Sequence, residues 1–327
     1  MLKVLAVTAP HWVAQRNIGS SMSLNSKEPY SLYNAVRYAA HLSQVGSGEW
    51  GGSNWNTKEG CNQGIMLYEY FENQKQEFIE ILNRVQPNLV FIGSMTIGFA
   101  GAIEVGKIIK HYLGDKCFTV IGGKHIIETT YLTNGVISVN DNCCLNLMKM
   151  GKIPKVFDLV ISGDGEEVIV EIGNIIGALK TPNSKNDFYF NISALKNAKG
   201  DWLAAWLSED NIIYHIQSDG LGINYDMMPS PISVFGIKSN FPVFQSEITA
   251  HTYSYMSKGC PFNCFFCSER NAINGKLKQV ETAPQRLFNQ FKELHEYGEK
   301  NGIKKISAFV EDSVLLAGKA ETTSYTE

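Results

Sequence analysis

Short apolar runs alternate with amphipathic segments along the first half of the chain. The apolar runs predict strands, which cover Leu2–Val7, Leu89–Gly93, Phe118–Ile121 and Phe157–Ile161. Between them, apolar residues at helical spacing predict helices, which cover Tyr30–Val45, Phe71–Val85, Gly101–Leu113 and Val168–Leu179. Uninterrupted apolar strands separated by helices are typical of a parallel sheet that is covered on both faces. We therefore predict an α/β fold with a parallel sheet, whose ligands should lie at the carboxyl ends of the strands.

The pattern changes after residue 180, where a polar, turn-rich stretch begins. Loosely alternating aromatic residues and several prolines follow, so we predict a linker that includes a hairpin or a small subdomain. A second α/β unit is predicted from His251, with a helix over Pro284–Glu299 and a strand over Lys305–Val310. The predicted sheet domain, linker, second α/β domain and polar tail cover residues 1–180, 181–250, 251–316 and 317–327.

The composition excludes several classes of protein. Hydrophobic residues make up 44% of the chain and supply ample material for a core, which excludes general disorder. With 29 basic and 32 acidic side chains the formal net charge is −3, and no long basic run would neutralise nucleic-acid phosphates. No apolar stretch approaches the roughly 18–20 residues of a membrane span, and the first residues lack the pattern of a signal peptide. We therefore predict a cytoplasmic protein that binds neither membranes nor nucleic acids.

The cysteines fall into two groups. Seven are present, and an odd number in a long chain without an export signal argues against a disulfide framework. Four are scattered and are predicted to be small buried hydrophobic residues: Cys61, Cys117, Cys143 and Cys144. The other three share one short segment with C-x3-C-x2-C spacing: Cys260, Cys264 and Cys267.

Three thiolates on one short loop are suitable ligands for a soft metal centre. A structural zinc site needs a fourth Cys or His at paired spacing, and none stands close to this loop. An iron–sulfur cluster normally has four cysteine ligands, so three would leave one iron open to a substrate or a cofactor. A zinc knuckle or three buried thiols are the alternatives that the residues leave open.

The three cysteines, the aromatic Phe266 before the last of them and the flanking segment Lys258–Asn263 resemble the signature loop of radical S-adenosylmethionine (SAM) enzymes. The resemblance implies that the cysteines hold three irons of a 4Fe–4S cluster, whose fourth iron chelates SAM. One electron, from a donor such as flavodoxin or ferredoxin, would cleave SAM to a 5′-deoxyadenosyl radical, with Phe266 near the adenine. The barrel of this family also implies that Glu311 and Asp312 contact the SAM ammonium group; the alternative is a solvated loop or a helix cap.

Three segments that follow predicted strands resemble the cobalamin-binding domain that precedes many radical SAM cores. These segments are Gly93–Gly98, Ile121–His125 and Ser162–Glu167. The residues that the resemblance assigns to cobalamin are Ser94, Thr96, Gly98, Gly122, Gly123, Gly163, Gly165 and Glu166. The two hydroxyl groups would bond the nucleotide tail, while the glycines would let the backbone approach a large planar ligand or turn tightly into a helix.

The D-x-H-x-x-G run that supplies a histidine ligand to cobalt in such domains is absent. His125 follows the double glycine and is predicted to be a polar loop residue, not a cobalt ligand. Cobalamin would then lack a protein histidine ligand, or the domain has kept the fold and lost the cofactor.

These resemblances predict an enzyme with a Rossmann-like cobalamin-binding-type domain and the start of a radical SAM partial (β/α) barrel. Its predicted activity is methyl transfer or related radical C–H chemistry, on a small molecule or peptide that the residues do not identify. Two alternatives stay open: a methylthiotransferase-like protein with a second cluster on the scattered cysteines, and a non-catalytic cobalamin- or nucleotide-binding module. A full eight-stranded barrel needs roughly 200 residues. The stretch from His251 to Glu327 is therefore expected to be its first part, and the chain a fragment.

Two pairs of tryptophans are candidates for stacking or packing. Trp50 and Trp55 lie in a Gly- and Asn-rich stretch that could line the cofactor or substrate crevice. Trp202 and Trp206 are spaced i, i+4 and are predicted to pack in the core from a helix.

Overall fold

The apolar runs of the first half become neighbouring strands of one sheet in the structure, which is a computed structural model. The structure describes residues 1–10, 33–45, 48–50, 62–67, 71–133, 135–179, 185–220, 222–223, 238–239, 249–254, 257–258, 260, 262, 264–265, 267, 278–279 and 283–310. The chain divides into two compact units, Met1–Ile223 and Asn224–Glu327.

A mostly parallel sheet forms the centre of the first unit. In chain order, its described strands are β1 (Val4–Thr8), β2 (Gln63–Met66), β3 (Leu89–Gly93), β4 (Phe118–Gly122), β5 (Thr130–Thr133), β6 (Val136–Val139), β7 (Leu159–Gly163), β8 (Trp202–Leu207) and β9 (Ile213–Gln217). Seven of these described strands form the sheet in the order β2-β1-β3-β4-β7-β8-β9, while β5 and β6 form a separate hairpin. The first five strands of this order are parallel, β8 pairs antiparallel with β7, and β9 pairs antiparallel with β8. The predicted α/β class is confirmed.

Helices follow the parallel strands, as the spacing of apolar residues predicted. The described α-helices of this unit are α1 (Tyr33–Gln44), α2 (Phe71–Val85), α3 (Phe99–Leu113), α4 (Lys124–Thr129), α5 (Cys144–Lys149), α6 (Val168–Ala178) and α7 (Lys185–Phe190). α2 has the predicted bounds, because Pro87 cannot continue a helix. α3 and α6 differ from their predicted bounds by one or two residues, and α1 ends one residue before its predicted end, while its predicted start at Tyr30 lies outside the described residues.

The order of the strands places a topological switch point between β1 and β3. The chain leaves β1 toward β2 on one side, while β3 and β4 lie on the other side. The register aligns Thr8 with Gly93 and Gly93 with Gly122 at the carboxyl edge of the sheet. Ligands of open α/β sheets bind in the crevice at such a point, so a site is expected after these three residues.

The stretch after residue 180 adds two strands to this sheet, where a linker with a hairpin was predicted. β8 and β9 form the hairpin, and β8 pairs antiparallel with β7, so the first unit extends to Ile223. Trp202 and Trp206 lie in β8, so the prediction of a helix for them is wrong. Side chains four residues apart share a face in a strand as well as in a helix, and the spacing therefore could not distinguish the two.

The second unit contains a parallel β–α–β element. Its described elements are β10 (Lys238–Ser239), β11 (Thr249–Ser254), β12 (Ser257–Lys258), β13 (Lys278–Gln279), α8 (Ala283–Lys300) and β14 (Lys305–Val310). β11 and β14 pair in parallel, and α8, which connects them, buries Leu287 and Leu294. β14 has the predicted bounds, and α8 is one residue longer than predicted at each end. None of the described helices combines the length and the apolar composition that crossing a bilayer requires.

Candidate functional site

The segments after β3 and β4 meet at the carboxyl edge of the sheet. The backbone N–H of Ser94 donates to the carbonyl of Gly122 over 2.9 Å, and the N–H of His125 donates to the carbonyl of Ser94 over 3.1 Å. Gly123 has φ +96°, and a Cβ there would lie 2.8 Å from both the nitrogen and the oxygen of Ser94. Two of the three segments assigned to cobalamin are therefore joined through their backbones.

The two hydroxyl groups assigned to the nucleotide tail are both bonded within the protein. Ser94 is fully buried, and its Oγ donates to the carbonyl of Met95 over 2.9 Å. Thr96 is exposed at the start of a short 3-10 helix, Thr96–Gly98, and its Oγ1 donates to Glu128 Oε2 over 2.7 Å. A ligand could reach the exposed Thr96 oxygen and would use it as an acceptor, because its hydrogen is already donated, whereas Ser94 is enclosed by the protein.

His125 is a packed side chain beside this edge. The imidazole is buried in the first turn of α4 and stacks on Phe99 with 4.0 Å between the ring centroids. Its Nδ1 lies 3.4 Å from Thr96 Oγ1. Burial lowers the pKa of His125, although the Asn142 backbone and Glu128 act in the opposite direction, so the ring is neutral at physiological pH.

Small residues bring the end of β1 against the start of α3. A Cβ at Gly98 would lie 3.2 Å from the carbonyl oxygen of Ala9 and 3.3 Å from that of Pro10. A Cβ at Gly101 would overlap the carbonyl oxygen of Pro10. Gly98 was assigned to cobalamin, but Gly101 was not singled out in the sequence, where the Gly-x-x-Gly spacing was the available signal.

The turn after β7 is shaped by its contact with β8. Gly163 has φ +94°, and a Cβ there would overlap the carbonyl oxygen of Asp201. The N–H of Asp164 donates to that carbonyl over 2.9 Å, and Asp164 Oδ2 accepts the N–H of Asp201 over 2.9 Å. Next along the chain, Gly165 faces the Cβ of Ala35 in α1, and Glu166 is buried. The third segment assigned to cobalamin, Ser162–Glu167, is thus bonded to the start of the β8–β9 hairpin.

Two large apolar side chains are exposed at the carboxyl edge of β3. Met95 and Ile97 flank Thr96, and their side chains are 52% and 53% exposed. Large apolar side chains grouped at a ligand crevice are a frequent mark of a binding surface. Neither residue was singled out in the sequence, because exposure of a short loop is not visible in a residue pattern.

The cysteine loop lies between β12 and β13. Cys260 is buried, Cys264 is exposed and Cys267 is half-buried. The N–H of Phe262 points at Cys260 Sγ over 3.4 Å, and a turn joins the N–H of Cys267 to the carbonyl of Cys264 over 3.1 Å. Within the described residues, no three His, Cys, Asp or Glu side chains already form a metal-binding group, these three cysteines included. The residues assigned to SAM, Phe266, Glu311 and Asp312, lie outside the described residues.

The scattered cysteines that the structure describes are buried, as predicted. Cys117, Cys143 and Cys144 have no exposed surface, and Cys61 lies outside the described residues. Burial raises the pKa of Cys117 to about 12, whereas hydrogen bonds from Cys144 and Thr130 lower the pKa of Cys143 to about 6. Cys143 Sγ lies 2.9 Å from Thr130 Oγ1, and Cys117, Cys143 and Cys144 all belong to one buried apolar cluster.

Trp50 belongs to the core and does not line a crevice. Its side chain is fully buried, and its indole N–H donates to the carbonyl of Val170 in α6 over 2.9 Å. A Cβ at Gly173 would overlap the indole ring, so this glycine leaves the space that the ring fills. The expectation that Trp50 faces a ligand is wrong, and Trp55 lies outside the described residues.

Solved structures of known proteins resemble the fold of this chain. The mixed α/β fold with a mostly parallel sheet matches solved radical SAM methyltransferases, although no family model matches the chain. One match is TsrM from Kitasatospora setae, with tryptophan substrate and the SAM analogue aza-SAM bound, at TM-score 0.55 and 14% identity. Another is TsrM with cobalamin and a 4Fe–4S cluster bound, at TM-score 0.54 and 13% identity. These matches cover 99% and 100% of this chain but 50% and 52% of those chains.

One curated protein is similar to this chain in sequence. The chain is 26% identical over 248 residues to an uncharacterized methyltransferase of Pyrococcus horikoshii. The match covers 74% of this chain and 43% of the relative. The chain therefore spans about half the length of the proteins it matches, and the structural likeness establishes the fold.

Proposed function

We propose that this chain belongs to a radical SAM methyltransferase that uses a 4Fe–4S cluster together with cobalamin. The observation that carries the proposal is the position of the three cysteines. They follow β11, the first strand of a parallel β–α–β element, in a chain whose fold is similar to TsrM over 99% of its length.

The donor chemistry of the cysteine loop fits an iron–sulfur cluster. Cys260, Cys264 and Cys267 would hold three irons, and the side chains would have to converge as the cluster is loaded. The turn between Cys264 and Cys267 already brings two of the three positions together, and the Phe262 N–H supports the sulfur of Cys260. When bound, the cluster supplies the electron that cleaves SAM. Phe266 would lie near the adenine, and Glu311 and Asp312 near the SAM ammonium group.

The first unit would hold cobalamin at its switch point. Met95 and Ile97 offer an apolar surface to a large planar ligand at this point. The hydroxyl oxygens of Ser94 and Thr96 and the backbone at Gly122 and Gly123 lie beside that surface. The turn of Gly163, Gly165 and Glu166 would bound the same edge on the side of β7. The protein would receive its electron from a donor such as flavodoxin or ferredoxin.

Anaerobic reconstitution with iron and sulfide tests the cluster half of the proposal. We expect the absorption and EPR signals of a 4Fe–4S cluster, with about four irons per chain. Cys264→Ala should abolish the signals without harming the fold, because this side chain is exposed. Cys117→Ala, which removes a thiol outside the loop, should keep them. A colourless protein that contains zinc would contradict the proposal, and a protein that binds cobalamin but no cluster would be the non-catalytic alternative.

Retention of hydroxocobalamin through gel filtration tests the other half. Replacing both Met95 and Ile97 by serine should weaken binding by roughly tenfold or more, because the lost apolar contact exceeds about 1.4 kcal/mol. The double variant should keep its stability, since both side chains are about half exposed. Val136→Ser with Met150→Ser is the matched control, because these side chains are also exposed and lie outside the proposed site. If both double variants bind hydroxocobalamin equally well, Met95 and Ile97 do not contribute to the cobalamin site.

A further inference from the structure

The loop that carries the three cysteines is closed at its base by an antiparallel ribbon. β12 and β13 pair through two positions, with Ser257 opposite Gln279 and Lys258 opposite Lys278. All three cysteines lie between these strands in sequence. Two lysines therefore occupy one cross-strand pair at the entrance and exit of the cysteine loop.

This arrangement is unfavourable unless an anion is nearby. Like charges directly opposite each other destabilise a strand pair, and a short isolated ribbon is marginal even with favourable pairs. The segment from Ser257 to Gln279 holds one acidic residue and four basic ones: Glu269 against Lys258, Arg270, Lys276 and Lys278. The whole chain has a formal net charge of −3, so positive charge is concentrated in this loop.

The backbone positions of the lysine pair lie close to that of Cys260, the first cysteine of the loop. Lys258 is two residues before Cys260, and two residues span at most about 7 Å. The Cα atoms of residues directly opposite in an antiparallel pair are about 4.5–5.5 Å apart, which places Lys278 beside Lys258. The Cα of Lys258 is therefore closer to that of Cys260 than the roughly 8–10 Å over which salt screens a charge, and the Cα of Lys278 lies within about 12 Å of it.

We propose that Lys258 and Lys278 are positioning residues that stabilise the negative charge of the cluster and raise its reduction potential. The inference rests on the proposed function. Three thiolates bring negative charge to the loop, and reduction by one electron adds a further negative charge. Net charge around an iron–sulfur cluster is one of the determinants of its potential, so two neighbouring ammonium groups favour the reduced state.

A redox titration of the reconstituted protein, followed by absorption and EPR, tests the proposal without any measurement of activity. At a fixed potential, Lys258→Gln with Lys278→Gln should lower the ratio of reduced to oxidised cluster by about tenfold, which is about 59 mV for one electron. Lys258→Arg with Lys278→Arg keeps both charges and should stay within about twofold of wild type. Lys292→Gln with Lys300→Gln removes two charges from the exposed face of α8 and should also stay within about twofold.

The outcomes separate this inference from the function on which it rests. Wild-type protein that takes up no cluster overturns both. A wild-type cluster whose potential is unchanged by the glutamine pair overturns this inference alone. If the arginine pair lowers the ratio of reduced to oxidised cluster as much as the glutamine pair does, the effect comes from the geometry of the ribbon, which overturns the inference. If the potential is unchanged and only the rate of reduction by an acidic donor protein falls, the lysines act in docking, which also overturns it. If the double variant does not fold, Lys278→Gln alone should lower the ratio by about threefold, and an unchanged ratio contradicts the proposal.

Discussion

Gly123 lies directly against the backbone of Ser94, and this contact joins the loops that follow β3 and β4. The glycine has φ +96° and ψ −174°, a conformation that is nearly exclusive to glycine. The contact explains the second glycine of the pair after β4 through packing, whether or not a ligand is bound. Any ligand at this edge would rest on a surface that the two backbones already define.

Gly123→Ala should destabilise the first unit by about 3 kcal/mol or more, because strain in the backbone adds to a clash with Ser94. Urea denaturation followed by circular dichroism measures the loss. Gly135→Ala is the control: its φ is +78°, but a Cβ there meets nothing within 4 Å, so only about 1–2 kcal/mol should be lost. Equal losses would show that the contact with Ser94 is not tight.

Trp50→Phe should lower stability by about 2 kcal/mol and leave hydroxocobalamin binding unchanged. The smaller ring gives up the hydrogen bond to the Val170 carbonyl and leaves a void over Gly173. Urea denaturation and gel filtration with the corrin measure the two effects separately. Phe190→Leu, at a side chain that is 87% exposed, should change neither. If Trp50→Phe binds hydroxocobalamin more weakly but keeps its stability, the prediction is wrong and Trp50 contacts the ligand.

Asp158→Asn should destabilise the first unit by about 3 kcal/mol, because it leaves two lysines without their shared partner. Asp158 Oδ2 lies 2.5 Å from Lys110 Nζ, and Oδ1 lies 2.9 Å from Lys185 Nζ. The control is Glu104→Gln, which breaks an exposed pair with Lys107 and should cost less than about 1 kcal/mol. Thermal unfolding of both variants decides the matter, and similar melting temperatures would contradict the prediction.

Stability should fall as the pH rises above about 10, the ordinary pKa of tyrosine. Burial raises the pKa of Tyr189, with a further contribution from Asp158. Burial opposes protonation of Lys185, but Asp158 and Asp115 outweigh it, so the pKa of Lys185 is raised as well. Both groups lose their protons first in the unfolded chain, which therefore binds fewer protons than the folded protein and becomes favoured as pH increases.

Urea midpoints between pH 8 and pH 11 measure this effect. In Tyr189→Phe the alkaline decline should be shallower, because one of the groups whose pKa is raised in the folded protein is removed. The hydrogen bond from the tyrosine hydroxyl to the Asp158 carbonyl is also lost, so this variant should be less stable than wild type already at pH 8. Identical slopes in the two proteins would rule out Tyr189 as a source of the decline.

Much of the fold could be predicted because its signals are local. A continuous apolar run defines β3 and a proline ends α2, so both were predicted with their observed bounds. The hairpin of β5 and β6 was missed, although the sequence Asn134-Gly135 between strand-like residues is a strong turn signal. β2 carries no comparable pattern, and its conformation follows from pairing with β1.

Local patterns in the sequence predict the α/β class, four of the five parallel strands with their helices, and the spacing of the three cysteines. These features depend on residue periods of a few positions, which a linear pattern contains. Only the tertiary structure decided that Gly123 contacts Ser94, that Asp158 joins Lys110 to Lys185, and that Trp50 is buried under α6. Those contacts join residues that are 27 to 120 positions apart. They depend on which strands become neighbours, and no local period encodes that choice.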